Sequence, residues 1–139
     1  MTDDALHTLL ANRHSGVLAT LKRDGLPQLS NVSYTYDEST RLLRVSITDD
    51  RAKTRNLRRD PRAVFHVTTE SFWPYVVAEG TAELSPVAAD PHDAAVEELI
   101  DVYRSVQGEH PDWDDFRAAM VKDRRLVLRL RVDRVYGTA

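Results

Sequence analysis

Five cations, Arg51, Lys53, Arg55, Arg58 and Arg59, fall within nine residues of a chain whose net charge is -3. The run from Arg51 to Asp60 follows the strand-like segment Leu42 to Thr48. It has helical character and is bounded by Pro61. A helix start offers free backbone N–H groups and the positive end of the dipole, and neighbouring Lys and Arg add full charges. Such a junction suits a phosphate or another polyanionic ligand. The same cations would also serve as a solvated basic face, pairing with some of the 22 acidic residues.

Two other segments carry groups that chemistry can use. Pro27, Gln28, Leu29, Ser30 and Asn31 place amides and hydroxyls in mid-strand, where they need partners or water. They can hydrogen-bond the heterocycle of a flat cofactor or simply face solvent. Phe72, Trp73, Pro74 and Tyr75 lead into a strand. Clustered aromatics there suit stacking on a planar ring, and equally suit a core plug or a contact between chains.

Other chemistries find little support. His7, His14, His66, His92 and His110 are scattered, with no His-x-x-x-His and no acidic cluster at ligand spacing, so no metal site is expected. There is no cysteine, which excludes disulfides and thiolate chemistry. No Gly-x-Ser-x-Gly or Ser-His-Asp grouping is present. Asp112, Asp114 and Asp115 are explained as capping and dipole-complementing residues at a helix start.

The elements that must position these groups read mostly as strands. Asp3 to Arg13 spaces Leu6, Leu9 and Leu10 as a short amphipathic helix. Gly16 to Leu21 and Leu26 to Tyr36 form a hairpin through Arg23, Asp24 and Gly25. After a turn at Asp37 to Thr40 come Leu42 to Thr48, Ala63 to Thr69, and Tyr75 to Leu84, with a bulge expected at Gly80. Val96, Leu99, Ile100 and Tyr103 mark one helix. Trp113, Phe116 and Met120 mark a second, with Asp112 as N-cap. Arg125 to Val132 alternates, with Leu126, Leu128, Leu130 and Val132 on one face and Arg129 and Arg131 on the other. The expectation is six mostly sequential strands, paired antiparallel and closing like a barrel, with flanking helices. No strand–Gly-rich loop–helix unit appears, which argues against a Rossmann site or a P-loop.

Residues 1–139 are expected to form a single domain with the composition of a soluble globular protein, 42% hydrophobic and 29% charged. The charge balance does not point to nucleic acid or membrane. The acidic start Met-Thr-Asp-Asp is unlike a signal peptide, and a cytoplasmic location is expected.

Several of these segments together resemble the pyridoxamine-phosphate-oxidase-like superfamily. They are Gly16 to Leu21, Asp24-Gly25, Pro27 to Val32, Arg51 to Pro61 and Tyr75 to Gly80. The late run Gly108 to Asp115 and the ending Val135-Tyr136-Gly137 look like its actinobacterial F420-dependent branch, the flavin/deazaflavin oxidoreductases. The resemblance implies a mainly β, six-stranded antiparallel split β-barrel of the FMN-binding-protein-like kind. It also implies a homodimer with two cofactor sites at the interface. By the same resemblance, Arg51, Ala52, Lys53 and Thr54 hold the cofactor phosphate. Gln28, Ser46, Ile47 and Asn56 contact its other polar parts and ring, and Trp73 and Tyr75 come from the other chain. Arg55, Arg58 and Arg59 would reach the oligoglutamate tail of F420, which FMN lacks.

The chemistry so implied is hydride transfer from reduced deazaflavin to an electron-poor conjugated small molecule. The protein would supply orientation, electrostatics and exclusion of water. No catalytic acid or base is identified; Tyr34 and Tyr36 are either proton donors or packing residues. Two alternatives stand beside this reading. One is an FMN-dependent oxidase acting on pyridoxamine phosphate. The other is a non-catalytic F420-binding protein.

Overall fold

The computed structural model describes residues 2–139. In chain order it has α1 (Thr2–Ala11), β1 (Ser15–Leu21), β2 (Pro27–Ser33), β3 (Thr35–Asp37), β4 (Leu42–Thr48), α2 (Ala52–Arg59), β5 (Arg62–Thr68), β6 (Tyr75–Leu84), α3 (Ala94–Gln107), α4 (Trp113–Lys122) and β7 (Arg125–Thr138). All strand pairs are antiparallel, and the sheet runs β2-β1-β5-β6-β7-β4-β3. The mainly β, antiparallel split-barrel expectation therefore holds, with seven strands instead of six.

The extra strand comes from a division of the segment expected to run unbroken from Leu26 to Tyr36. β2 pairs with β1, whereas β3 pairs with β4 at the opposite edge of the sheet. The chain crosses at Tyr34. Its N–H donates to the His14 carbonyl at 2.9 Å, its hydroxyl donates to the Leu10 carbonyl, and its ring is fully buried. Two consecutive strands thus form the two edges, so the sheet must curl to bring them close together. The split of the half-barrel lies between β2 and β3.

Turn chemistry sets the hairpin register. Gly25 has φ 88°, which a residue with a Cβ rarely adopts, and Asp24 Oδ1 accepts from the Leu26 N–H at 3.0 Å. The expected bulge is present: the β6–β7 register shifts between Glu79 and Gly80. A Cβ on Gly80 would lie 1.9 Å from the Arg131 carbonyl oxygen, so only glycine allows the two strands this approach. Beyond the bulge β7 continues to Thr138, six residues past the expected Val132, paired with the first half of β6.

Two packed clusters follow from these patterns. Leu18, Leu43, Val45, Phe65, Val67, Leu126 and Leu128 fill the concave side of the sheet, and α1 closes it with Leu6 and Leu10. Val96, Leu99, Ile100, Val102, Phe116 and Met120 join α3 to α4 and pack on Val127, so β7 is covered on both faces around Leu126–Leu128. Burying a side chain such as Leu or Phe stabilises by about 1.5–3 kcal/mol. Asp93 caps α3 by accepting from the Val96 N–H at 2.9 Å, and Asp112 caps α4, as expected, by accepting from the Asp115 N–H at 3.1 Å.

Candidate functional site

The basic run lies where β4 gives way to α2. The Thr48 carbonyl accepts from the Thr54 hydroxyl at 2.6 Å and from the Arg51 N–H at 3.4 Å, which lashes the helix start to the strand end. Arg51 occupies the N-cap with an extended backbone, and its side chain makes no capping hydrogen bond. The N–H groups of Ala52 and Lys53, at the first positions of the helix, have no intrahelical acceptor.

A groove of about 700 Å³ opens beside this junction. It is lined by Ser46, Ile47, Thr48, Arg51, Lys53 and Arg125, and by Tyr103, His110, Phe116 and Met120 of the α3–α4 pair and its loop. The Arg51 Nε donates to Thr48 Oγ1 at 3.3 Å, and Arg125 donates to Ser46 Oγ at 3.3 Å. Burial first, then the charges of Arg51 and Arg125, push the Lys53 ammonium below its ordinary pKa range. None of these three cations forms an ion pair among the described residues, although Asp115 and Asp123 line the same groove. Three mutually repelling cations beside uncapped helix amides make a site whose own chemistry calls for an anion.

The remaining cations of the run behave differently. Arg58 and Arg124 both pair with Asp49, at 2.6 and 2.9 Å, and hold its carboxyl below the usual range, Arg124 more than Arg58. Arg55 donates to the Asp50 carbonyl at 2.7 Å, and Arg59 donates to the Leu21 carbonyl at 2.6 Å. Arg55, Arg58 and Arg59 line a second groove of about 640 Å³ together with Lys22, Arg23, Gln28, Ala52 and Asn56.

The residues expected to act together are thus found in three places. Ser46, Ile47, Arg51 and Lys53 share the first groove. Gln28, Ala52 and Asn56 line the second. There Asn56 is buried: its Nδ2 donates to Thr20 Oγ1 at 3.1 Å, and that hydroxyl donates to Gln28 Oε1 at 3.3 Å, so both amides are engaged in joining α2 to the first hairpin. Thr54 is fully buried with its hydroxyl already given to Thr48. Trp73 and Tyr75 line neither groove of a single chain; Trp73 is 76% exposed, and Tyr75 packs against His66 with ring centres 5.8 Å apart.

Tyr34 and Tyr36 are packing residues. Burial raises both phenol pKa values, and their hydroxyls face Leu10 and His7 under α1, with Tyr36 Oη 2.7 Å from His7 Nδ1. Sequence reasoning missed Arg125, Tyr103 and His110 as groove residues. Arg125 reaches the junction because it stands opposite Thr48 in the β4–β7 register, which the sequence alone does not give. His110 lies in the run Gly108 to Asp115 that carries part of the family resemblance, but nothing in the sequence gives its ring a place in the groove.

Residues 2–139 match the pyridoxamine 5'-phosphate oxidase family. The chain belongs to that family. It is 30% identical over 139 residues to the F420H2-dependent biliverdin reductase of Mycobacterium tuberculosis (strain CDC 1551 / Oshkosh), covering 100% of this chain and 89% of that one. A solved structure described as an F420 reductase superposes with a TM-score of 0.69 at 25% identity, over 94% of each chain. A FAD-binding protein from Mesorhizobium loti shares the fold at 17% identity, with a TM-score of 0.67 over 97% of this chain and 90% of that one. The fold of the sheet is thus shared with solved structures of low sequence identity. No described helix is long and apolar enough to cross a membrane.

Proposed function

We propose that this chain is an F420H2-dependent reductase of an electron-poor conjugated small molecule, acting as a cytoplasmic homodimer in which residues 1–139 form one domain. The observation that carries the reading is a set of cations without ion-pair partners among the described residues, Arg51, Lys53 and Arg125, at a helix start with no side-chain cap. It is supported by the 30% identity to an F420H2-dependent biliverdin reductase along the whole chain.

The donor set fits the phosphate of such a cofactor. Lys53, Arg51 and the amides of Ala52 and Lys53 hold it, while Ser46 and the backbone at Ile47 border its polar stem. When bound, the reduced deazaflavin supplies a hydride. The chain's own groups then orient the two reactants, and the buried floor of the groove excludes water from the contact between them. Holding reactants in a fixed geometry contributes much of the acceleration in reactions where the cofactor carries the chemistry.

The assembly reading rests on exposed apolar side chains. Leu26, Leu29, Phe72, Trp73 and Tyr136 are each more than two-fifths exposed. Pairing two chains over such residues would bring Trp73 and Tyr75 of one chain towards the cofactor of the other. Light scattering should give twice the 15.8 kDa chain mass, with an interface of roughly 2,000 Å² or more. Oxidation of F420H2 in the presence of biliverdin or simple enones, followed by absorbance, tests the reaction. Binding without turnover on any of them would favour the non-catalytic alternative. An FMN-type cofactor is the second reading, because the cations at the start of α2 would serve the phosphate of either one.

A further inference from the structure

The loop between α3 and α4 holds one histidine more firmly than a connection requires. Gly108 ends α3 with φ 85°. Glu109 accepts from Arg104 Nε at 2.9 Å and from Trp113 Nε1 at 3.3 Å, and the Arg104 guanidinium lies 4.7 Å from the centre of the Trp113 ring. His110 follows, and its Nδ1 accepts from the Asp112 N–H at 2.9 Å across Pro111. Its ring packs against Tyr103, Phe116 and Trp113, with ring centres 5.2, 5.5 and 5.7 Å away.

This arrangement fixes the tautomer. A backbone N–H occupies the Nδ1 lone pair, so the uncharged ring carries its proton on Nε2. Nε2 has no acceptor among the described residues, and His110 is half-buried on the wall of the groove that also holds Lys53 and Arg125. A preorganised N–H donor without a partner among the described residues, beside aromatic walls in a groove that also holds cations, is a recognition group for a ligand atom that accepts a hydrogen bond.

We propose that His110 Nε2–H donates to a carbonyl oxygen of the hydride acceptor, whose planar conjugated body lies against Tyr103 and Phe116. This rests on the reductase reading and names the substrate class of the same groove: a flat, conjugated carbonyl compound. The acceptor's conjugated carbon gains a hydride from the reduced deazaflavin, which is thereby oxidised by two electrons. The acceptor's C=C π pair moves towards oxygen, and the resulting enolate oxygen is the atom that His110 stabilises. Water then protonates the neighbouring carbon. His110 is a hydrogen-bond donor here through geometry: its Nδ1 accepts from the Asp112 N–H, which leaves the Nε2–H to meet the oxygen.

The test uses the full-length wild type with His110→Phe, which keeps an aromatic plug, and His110→Gln, which puts an amide N–H near the Nε2 position. Long-range 15N NMR of the imidazoles should show the Nε2–H tautomer at His110, and saturating 2-cyclohexen-1-one or menadione should shift that resonance. In F420H2 oxidation with the same two acceptors, His110→Phe should lose at least about tenfold in kcat/KM. His110→Gln should recover part of that loss, and both variants should keep the wild-type dissociation constant for F420 and a wild-type thermal midpoint. An Nδ1–H tautomer, an Nε2 resonance unmoved by both acceptors, or wild-type kcat/KM in a folded His110→Phe would each overturn the proposal. Wild-type protein that binds no F420 would instead remove the reductase reading, and the NMR titration would still decide for or against His110.

Discussion

Two clusters of cations in this molecule are put to opposite uses. Arg129 joins β7 to α3 through Glu98 and also meets Glu83 at 2.9 Å, while Arg44 of β4 lies 3.7 Å from the same Glu98. The side chain of Glu98 is only 17% exposed and that of Arg129 28%, so each is the other's main partner. In the groove at the start of α2, Arg51, Lys53 and Arg125 are also drawn together, yet they form no ion pair among the described residues, and burial, then the charges of Arg51 and Arg125, hold Lys53 below its ordinary range. In the first cluster the positive charge is answered within the chain and holds a helix to the sheet. In the second it is left over. Unanswered charge costs stability in the free protein and is regained only when an anion binds.

The largest effect expected from breaking this contrast is on the ligand side. Lys53→Ala should weaken F420 binding by about 1.5–3 kcal/mol, roughly ten- to a hundredfold in dissociation constant, because it removes a charge-assisted bond from a sheltered site. It should cost little stability, since Lys53 repels its neighbours. Fluorescence titration and a thermal melt check both halves.

The mirror experiment is Glu98→Ala. It leaves Arg129 with only the more exposed Glu83, and should cost about 1–3 kcal/mol of folding stability. F420 affinity should be unchanged. Urea unfolding beside the same titration tests this, and a variant that loses affinity while keeping stability would reverse the assignment of the two clusters.

A smaller effect concerns pH. Burial, then Arg51 and Arg125, hold Lys53 below the ordinary 10.5. The free protein therefore releases this proton at lower pH than the anion-bound protein does. Binding then requires proton uptake on the alkaline side, and F420 affinity should fall as pH rises through that range. Arg125→Gln removes one repelling charge, so the alkaline decline should move to higher pH even as binding at neutral pH weakens. A decline that stays in place would show that Arg125 does not face Lys53 in solution.

The smallest effect belongs to the outer cations. Arg55 is exposed and makes no ion pair among the described residues. Arg55→Ala should change F420 affinity by only about 0–1 kcal/mol, and the difference should fade by about 0.5 M salt. Titrations at two salt concentrations check this. A loss as large as that of Lys53→Ala would move the main anion contact to the second groove.

Much of this was legible in the sequence because the signals were local. The cations stood between a β-branched strand and Pro61, Gly25 marked its turn, and Gly80 its bulge. What was not legible depended on pairing. Alternation runs through Tyr34 without a break, and nothing in it says that the residues before Tyr34 pair with β1 and those after it with β4. The same limit hid Arg125, whose place opposite Thr48 is a matter of register. The division of Gln28 and Asn56 from Ser46 and Lys53 was hidden for another reason. α2 presents different sides to two grooves, and the two amides are needed to bond Thr20 between them. His110 was visible as a residue but not as a donor, because its tautomer is set by the backbone N–H of Asp112.

The account stands most directly on the choice of anion that the first groove makes. Purified wild-type protein should be titrated with F420 and FMN in competition at low ionic strength. F420 is expected to bind at least about tenfold more tightly, a difference of about 1.4 kcal/mol, with the preference reduced but not abolished at high salt. Equal affinities, a preference for FMN, or binding of neither would contradict it.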